Sequence, residues 1–108
     1  MFDVSVVNKR YFEVTLYRTT DEGEIEDSIN LQVEAPKLKV LKKITSLSKV
    51  KEENTIEELT ESIRLILNKN KSKKKVPPEF IEDLDMDQMD GLLTKYFDWL
   101  NKTKNSPN

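Results

Sequence analysis

The segment from Val76 to Leu100, VPPEFIEDLDMDQMDGLLTKYFDWL, constrains the fold most because it carries a strong helical pattern. Proline is tolerated in the first turn of a helix, so a short helix is predicted over Pro78 to Leu84. Asp85 then has the position of an N-cap, and Gln88 is placed to reach back in a capping box. The sequence therefore predicts a second, longer helix from Asp85 to Leu100.

One face of that longer helix is apolar at helical spacing, with Met86, Met89, Leu92, Leu93, Tyr96, Phe97 and Leu100. Gly91 interrupts the pattern at a cost of about 1 kcal/mol relative to alanine. Either another backbone approaches closely at Gly91, or the position is a harmless place on the surface. Both explanations stay open at this stage.

Trp99 falls on the flank of the apolar face, where a large amphipathic ring often anchors a partner protein. Methionine gives a surface adaptable contacts, although it also fills cores. We therefore predict a partner-binding surface on the last helix, and the alternative is that the same side chains belong to the core. The surface consists of Met86, Met89, Tyr96 and Trp99.

The first third of the chain favours β-structure. The segments Phe2 to Val7 and Tyr11 to Arg18 are rich in β-branched and aromatic residues, and a third strand follows a turn at residues 21–24. These segments predict a three-stranded antiparallel meander whose apolar face needs a cover. Its unpaired edges also make a homo-oligomer a possible partner state.

Two further helices are predicted in the middle of the chain. One begins at Pro36, and its apolar stripe is Leu38, Leu41, Ile44 and Leu47. The other begins at Thr55, where Glu58 completes a capping box, and its stripe is Ile56, Leu59, Ile63, Ile66 and Leu67. The segment from Asn68 to Lys75 has no large apolar residue and is predicted to be a mobile loop.

The predicted fold is α+β, with a small N-terminal antiparallel β-meander followed by three to four α-helices. It forms one domain over residues 1–102, of which 1–34 are β-rich and 35–102 helical, with a flexible tail at 103–108.

Composition narrows the chemistry. The 108 residues include no histidine and no cysteine, which removes the usual acid–base group at neutral pH, the thiolate nucleophile and zinc sites built on these ligands. We therefore expect no enzymatic activity and no cofactor. No signal peptide or membrane-spanning run is visible, so no membrane partner and a cytoplasmic location are expected.

The acids Asp83, Asp85 and Asp87 match the first positions of a calcium-binding loop. Gln88 replaces the glycine of that loop, and Thr94 replaces its bidentate glutamate. No metal site is predicted, and a metal-dependent enzyme built on these acids is a rival hypothesis.

Lysines crowd the segment before the acidic one, at Lys69, Lys71, Lys73, Lys74 and Lys75. A small nucleic-acid-binding regulator would use such a run, but the run has no arginine and no interleaved aromatic residue. Nucleic acid is therefore the alternative partner.

The order of these patterns resembles the tail assembly chaperones of long-tailed phages and prophages of Gram-positive bacteria. The resemblance covers about Ile29 to Leu100, and the sequence letters that carry it are APKLK at 35–39, ILNKN at 66–70, Phe80-Ile81, Leu92-Leu93, Tyr96 and Trp99-Leu100.

The resemblance implies a non-enzymatic protein that binds the tape measure protein during tail morphogenesis and keeps its hydrophobic helices soluble. It also implies a role in assembling tail tube protein around the tape measure protein, in the cytoplasm of the bacterial host. A structural tail or connector subunit is a further alternative.

Overall fold

The computed structural model describes residues 1–48 and 55–105. Two strands, β1 (Tyr11–Thr19) and β2 (Ile25–Glu34), form an antiparallel hairpin. Four helices follow: α1 (Leu38–Ser48), α2 (Thr55–Asn68), α3 (Pro78–Glu82) and α4 (Met86–Asn105). The predicted α+β class, with a small antiparallel sheet before the helices, is confirmed.

The hairpin turn matches its prediction, because Gly23 has a φ of +87° that glycine adopts without a steric penalty. The first predicted strand is wrong. Residues Val4–Val6 form a single 3₁₀ turn, and the Asp3 carboxylate accepts the Ser5 N–H at 2.9 Å. This local bond competes with strand pairing, so the sheet has two strands and not three.

The segment after α2, predicted to be a mobile loop, is instead hydrogen-bonded to the sheet. Asn70 forms a β-bridge with Val33, and its neighbours exchange backbone bonds with β2 on either side. Asn70 is only 2% exposed. Its Nδ2 donates to the carbonyls of Leu67 and Lys74 at 2.8 Å each, and its Oδ1 accepts the Lys74 N–H at 2.9 Å.

The core lies between the inner face of the hairpin and the four helices. Its buried members are Leu16, Leu31, Val33, Ile44, Leu59, Ile63, Ile66, Leu67, Val76, Phe80, Ile81, Met89, Leu93 and Tyr96. Four residues of the stripes predicted for α1 and α2 lie outside these buried members. Leu38 and Ile56, in the first turns of their helices, are more than 60% exposed, and Leu41 and Leu47 are partly buried.

Helix α4 begins as predicted. Gln88 N–H donates to Asp85 Oδ1 at 2.7 Å, and Asp85 N–H donates to Gln88 Oε1 at 2.9 Å, so the capping box is formed. The helix continues to Asn105, into the segment predicted as a tail, and residues 106–108 lie outside the described residues. The side chain of Thr55, and with it the other predicted capping box, also lies outside them.

Candidate functional site

An open groove with a volume of about 640 Å³ lies between the chain before β1, helix α1 and the C-terminal half of α4. This volume is within the range of about 300–1,000 Å³ common for ligand pockets. Its apolar lining comes from Val7, Ala35, Pro36, Leu41, Phe97 and Leu100. We call it the α1–α4 groove.

The fold brings this lining together from four places in the chain. Pro36 follows β2 and turns the chain into α1, whose Leu41 faces the groove while Ile44, three residues on, is buried in the core. Phe97 follows the buried Tyr96 on α4, which places it at the margin of the core. The groove is therefore where the core reaches the surface.

The rim of the groove is mainly basic. Glu34, whose side chain is 15% exposed, lies 3.5 Å from both the Lys9 and the Lys69 amino groups. Arg10 is the third basic residue in the lining. Three cationic side chains and one carboxylate thus line the groove, and the rim favours a ligand that carries acidic groups beside an apolar surface.

Arg10 is held against the end of α4. Its guanidinium lies 4.5 Å from the centre of the Trp99 ring and donates a 3.0 Å hydrogen bond to the Trp99 carbonyl oxygen. Trp99 also contacts the sheet, because its ring centroid is 5.8 Å from that of Phe12. We call the mutually contacting rings of Phe12, Tyr96, Phe97 and Trp99 the aromatic cluster. Trp99 is therefore packed between β1, Arg10 and the rest of α4.

The surface predicted on the last helix does not form. Met89 is 5% exposed and Tyr96 is fully buried, so both belong to the core, and Trp99 is half-buried in the aromatic cluster. Met86 alone of the four is exposed. The prediction went wrong because the hairpin covers the flank of α4 that the helical pattern left open.

Within residues 1–48 and 55–105, the Tyr96 hydroxyl is the one buried side-chain polar atom that neither donates nor accepts a hydrogen bond. Burial raises the pKa of this phenol well above its ordinary value of 10.0. The hydroxyl therefore stays neutral across the physiological range.

Two of the five lysines proposed for nucleic acid have side-chain partners within the structure. Lys69 pairs with Glu34, and the Lys71 amino group lies 5.2 Å from the centre of the Tyr11 ring. Lys73, Lys74 and Lys75 are exposed, and Lys73 has a φ of 55° in the turn that closes around Asn70.

The three acids proposed for a metal enzyme have separate structural partners or positions. Asp83 accepts the Thr19 N–H and hydroxyl, whereas Asp85 caps α4 and Asp87 lies in its first turn. In the described ranges, no group of three or more acidic side chains is arranged to hold a metal ion. Nor does any helix in those ranges have the length and apolar character needed to cross a membrane.

Sequence reasoning assigned Leu41, Phe97 and Leu100 to apolar helix faces but did not find the groove they line. Arg10 was missed as well, since a single arginine before a strand gives no periodic signal.

Comparisons of the chain with protein-family models, with curated proteins and with solved structures find no match.

Proposed function

We propose that this protein is a non-enzymatic assembly chaperone of phage tails, and that the α1–α4 groove binds an amphipathic helix of the tape measure protein. The observation that carries this proposal is the groove itself, which combines an apolar floor with a basic rim. An amphipathic helix in an apolar groove is a recurrent way of recognising a partner.

The groove suits transient binding of one segment at a time. Its walls are two helices, and Leu41 and Phe97 offer apolar area that a partner helix covers in place of water. The basic rim would pair with acidic side chains that flank the apolar stripe of the partner. Rim charges of this kind set partner choice and association rate more than affinity.

The proposed setting is the cytoplasm of the bacterial host, where the tape measure protein is made before the tail assembles. Occupying its apolar helices in turn would keep them soluble until tail tube protein surrounds them. Tail tube protein is then a second proposed partner.

The test is co-expression with the tape measure protein encoded beside this chain, followed by affinity purification. Two variants should prevent binding in different ways. Leu41→Glu puts a charge on the apolar floor of the groove, and Thr45→Trp fills the groove from an exposed position. Thr94→Glu is the matched control, because Thr94 is exposed on α4 and does not line the groove.

We expect the wild type and Thr94→Glu to retain the tape measure protein and both groove variants to lose it, with helical content unchanged by circular dichroism. Raising the salt concentration should weaken retention by the wild type, since the Lys9 and Lys69 side chains on the rim are 69% and 42% exposed. Equal retention by folded groove variants, or none by the wild type, would refute the proposed function.

A further inference from the structure

The N-terminal arm, which we define as Phe2–Val7, presents apolar side chains to solvent. Phe2, Val4 and Val6 are 73%, 76% and 69% exposed, and Val7 is more than half exposed. Among the described residues, the hydrogen bonds of the arm are local: the Asp3 carboxylate accepts from the Ser5 N–H and hydroxyl, and backbone bonds join Val6 to Asp3 and Val7 to Val4. A cluster of exposed apolar residues on this scale is typical of an interaction site.

The same chain carries an open strand edge. On β2, the C-terminal end of the outer edge is covered, because Glu34 N–H donates to the Lys69 carbonyl and Lys71 N–H donates to the Gln32 carbonyl. On β1, the Thr19 N–H points away from β2 and is bonded to Asp83. This bond shows which residues of β1 direct their backbone groups outward.

Backbone groups alternate in direction along a strand, so the residues that share the outward direction of Thr19 are Tyr11, Glu13, Thr15 and Tyr17. In the part of the chain that the structure describes, their backbone groups make no bond on this outer side. An edge of this kind is a template for another strand.

The arm does not reach the open edge of its own β1. Lys9 reaches across to Glu34 on β2, and Arg10 is fixed on Trp99. Val7 and Asn8 consequently line the α1–α4 groove, on the side of the hairpin away from the open edge. The partner that can bring an arm to this edge is a second copy of the chain.

We infer that the N-terminal arm of one copy adds to the outer edge of β1 in a second copy. The side-chain pattern fits this pairing, since Phe2, Val4 and Val6 alternate with Asp3 and Ser5. In a strand, the three apolar residues share one face. They would extend the inner layer of the sheet beside Phe12 and Val14, which are only half-buried.

The polar residues of the arm fit equally well. Asp3 and Ser5 would join the outer face of the sheet, where Glu13, Thr15 and Tyr17 are already exposed. Six residues span about 20 Å as a strand, which matches the open edge from Tyr11 to Tyr17. The 3₁₀ turn opens on binding, and the Asp3–Ser5 bonds are exchanged for strand pairing.

The first test is the solution mass of the intact chain, measured by sedimentation over a range of concentrations. We expect the mass to rise above the 12.6 kDa of one chain as concentration increases. Val4→Asp with Val6→Asp should abolish the rise, because charges then face the apolar layer. Thr15→Pro should abolish the rise by changing the edge instead of the arm. Proline lacks the N–H that Thr15 would donate to the added strand, and the pairing of β1 with β2 does not use that N–H.

The second test locates the contact. Because the chain has no cysteine, Ser5→Cys and Thr15→Cys chains can be mixed and oxidised without competing thiols. A disulfide between the two variants is expected, and none between Ser5→Cys and the control Lys95→Cys, which lies exposed on α4. A monomer at every concentration, or association unchanged in both the arm and the edge variants, would overturn the inference.

The two proposals fail separately. Loss of self-association in the arm variant leaves the groove variants and the tape measure protein assay unaffected. Conversely, a chain that does not bind the tape measure protein still shows whether the arm pairs with a second copy.

Discussion

The guanidinium of Arg10 both stacks on the Trp99 ring, 4.5 Å from its centre, and donates to the Trp99 carbonyl oxygen. It links the residue before β1 to the C-terminal half of α4, which are 89 positions apart. No backbone pairing joins these two parts of the chain among the described residues. Arg10 therefore fastens the open end of the hairpin to the last helix, together with the contact of Phe12 with Trp99.

Replacing Arg10 with alanine is expected to reduce the free energy of unfolding by about 2 kcal/mol, because a charged hydrogen bond and a cation–π contact are both lost. Arg10→Lys should retain part of this, since lysine keeps the charge but not the planar fork. Urea unfolding followed by the fluorescence of Trp99, the one tryptophan, measures the change. Lys9→Ala removes an exposed lysine and leaves Glu34 paired with Lys69, so stability should change by less than about 0.5 kcal/mol.

The Tyr96 hydroxyl gives a second prediction. A buried hydroxyl without a partner costs about 1–3 kcal/mol, so Tyr96→Phe should raise the free energy of unfolding by about 1 kcal/mol. Tyr17→Phe is the control, because Tyr17 is 46% exposed. A clear loss of stability in Tyr96→Phe, measured by urea unfolding, would contradict the unpaired state of the hydroxyl.

The same residue makes stability depend on alkaline pH. Since burial raises the folded-state pKa of Tyr96, the unfolded chain releases its proton first as the pH rises past about 10. Below that pH, the difference in pKa does not affect the free energy of unfolding. As the pH rises toward the folded-state pKa, ionisation of the unfolded chain lowers the free energy of unfolding. Wild type minus Tyr96→Phe stability should therefore be lower at pH 11 than at pH 7, and an equal difference at the two pH values would contradict the burial of the phenol.

Several elements were predictable because their signals are local. The start of α4 follows from Asp85 and Gln88, which bond to each other's backbone groups as the capping-box spacing requires. The buried stripe of α2 follows from the spacing of Leu59, Ile63 and Ile66. Both signals depend on residues within one or two turns of each other, and tertiary contacts reinforce them.

The rest was unpredictable because it depends on distant contacts. Whether Trp99 is surface or core is decided by Phe12 on β1 and by Arg10 just before it, and the helical pattern of α4 holds no information about either. Phe2–Val7 has strand-like composition but no strand beside it. Asn70 lies among lysines in a segment that reads as a loop, and its three hydrogen bonds involve backbone groups that no side-chain pattern reveals.

Asn70 is expected to be essential for the turn after α2. Asn70→Ala would leave two carbonyls and one N–H without their partner in a site that is 2% exposed, at a cost of about 3 kcal/mol. Asn70→Asp, which has the same shape, should also destabilise the protein, because a carboxylate would face the two carbonyls that now accept from the amide. Ser72→Ala, at an exposed position in the same segment, is the control.

Hydrogen exchange distinguishes a local effect from a global one. The Lys71 N–H, bonded to the Gln32 carbonyl, should exchange faster in Asn70→Ala relative to the amides of α4. Urea unfolding gives the accompanying change in stability. Unchanged protection at Lys71 would mean that the bridge to β2 does not depend on the Asn70 side chain.

The two glycines form a matched pair, because open space surrounds both but only one has a left-handed backbone. No atom lies within 4 Å of a Cβ built at Gly91, which excludes a close backbone approach among the described residues and leaves an exposed helical position. Gly91→Ala should therefore raise the free energy of unfolding by about 1 kcal/mol through helix propensity. Gly23→Ala should lower it by about 1 kcal/mol, because alanine at a φ of +87° is strained. Urea unfolding of both variants checks the pair, and stabilisation by Gly23→Ala or destabilisation by Gly91→Ala would contradict the backbone geometry of these positions.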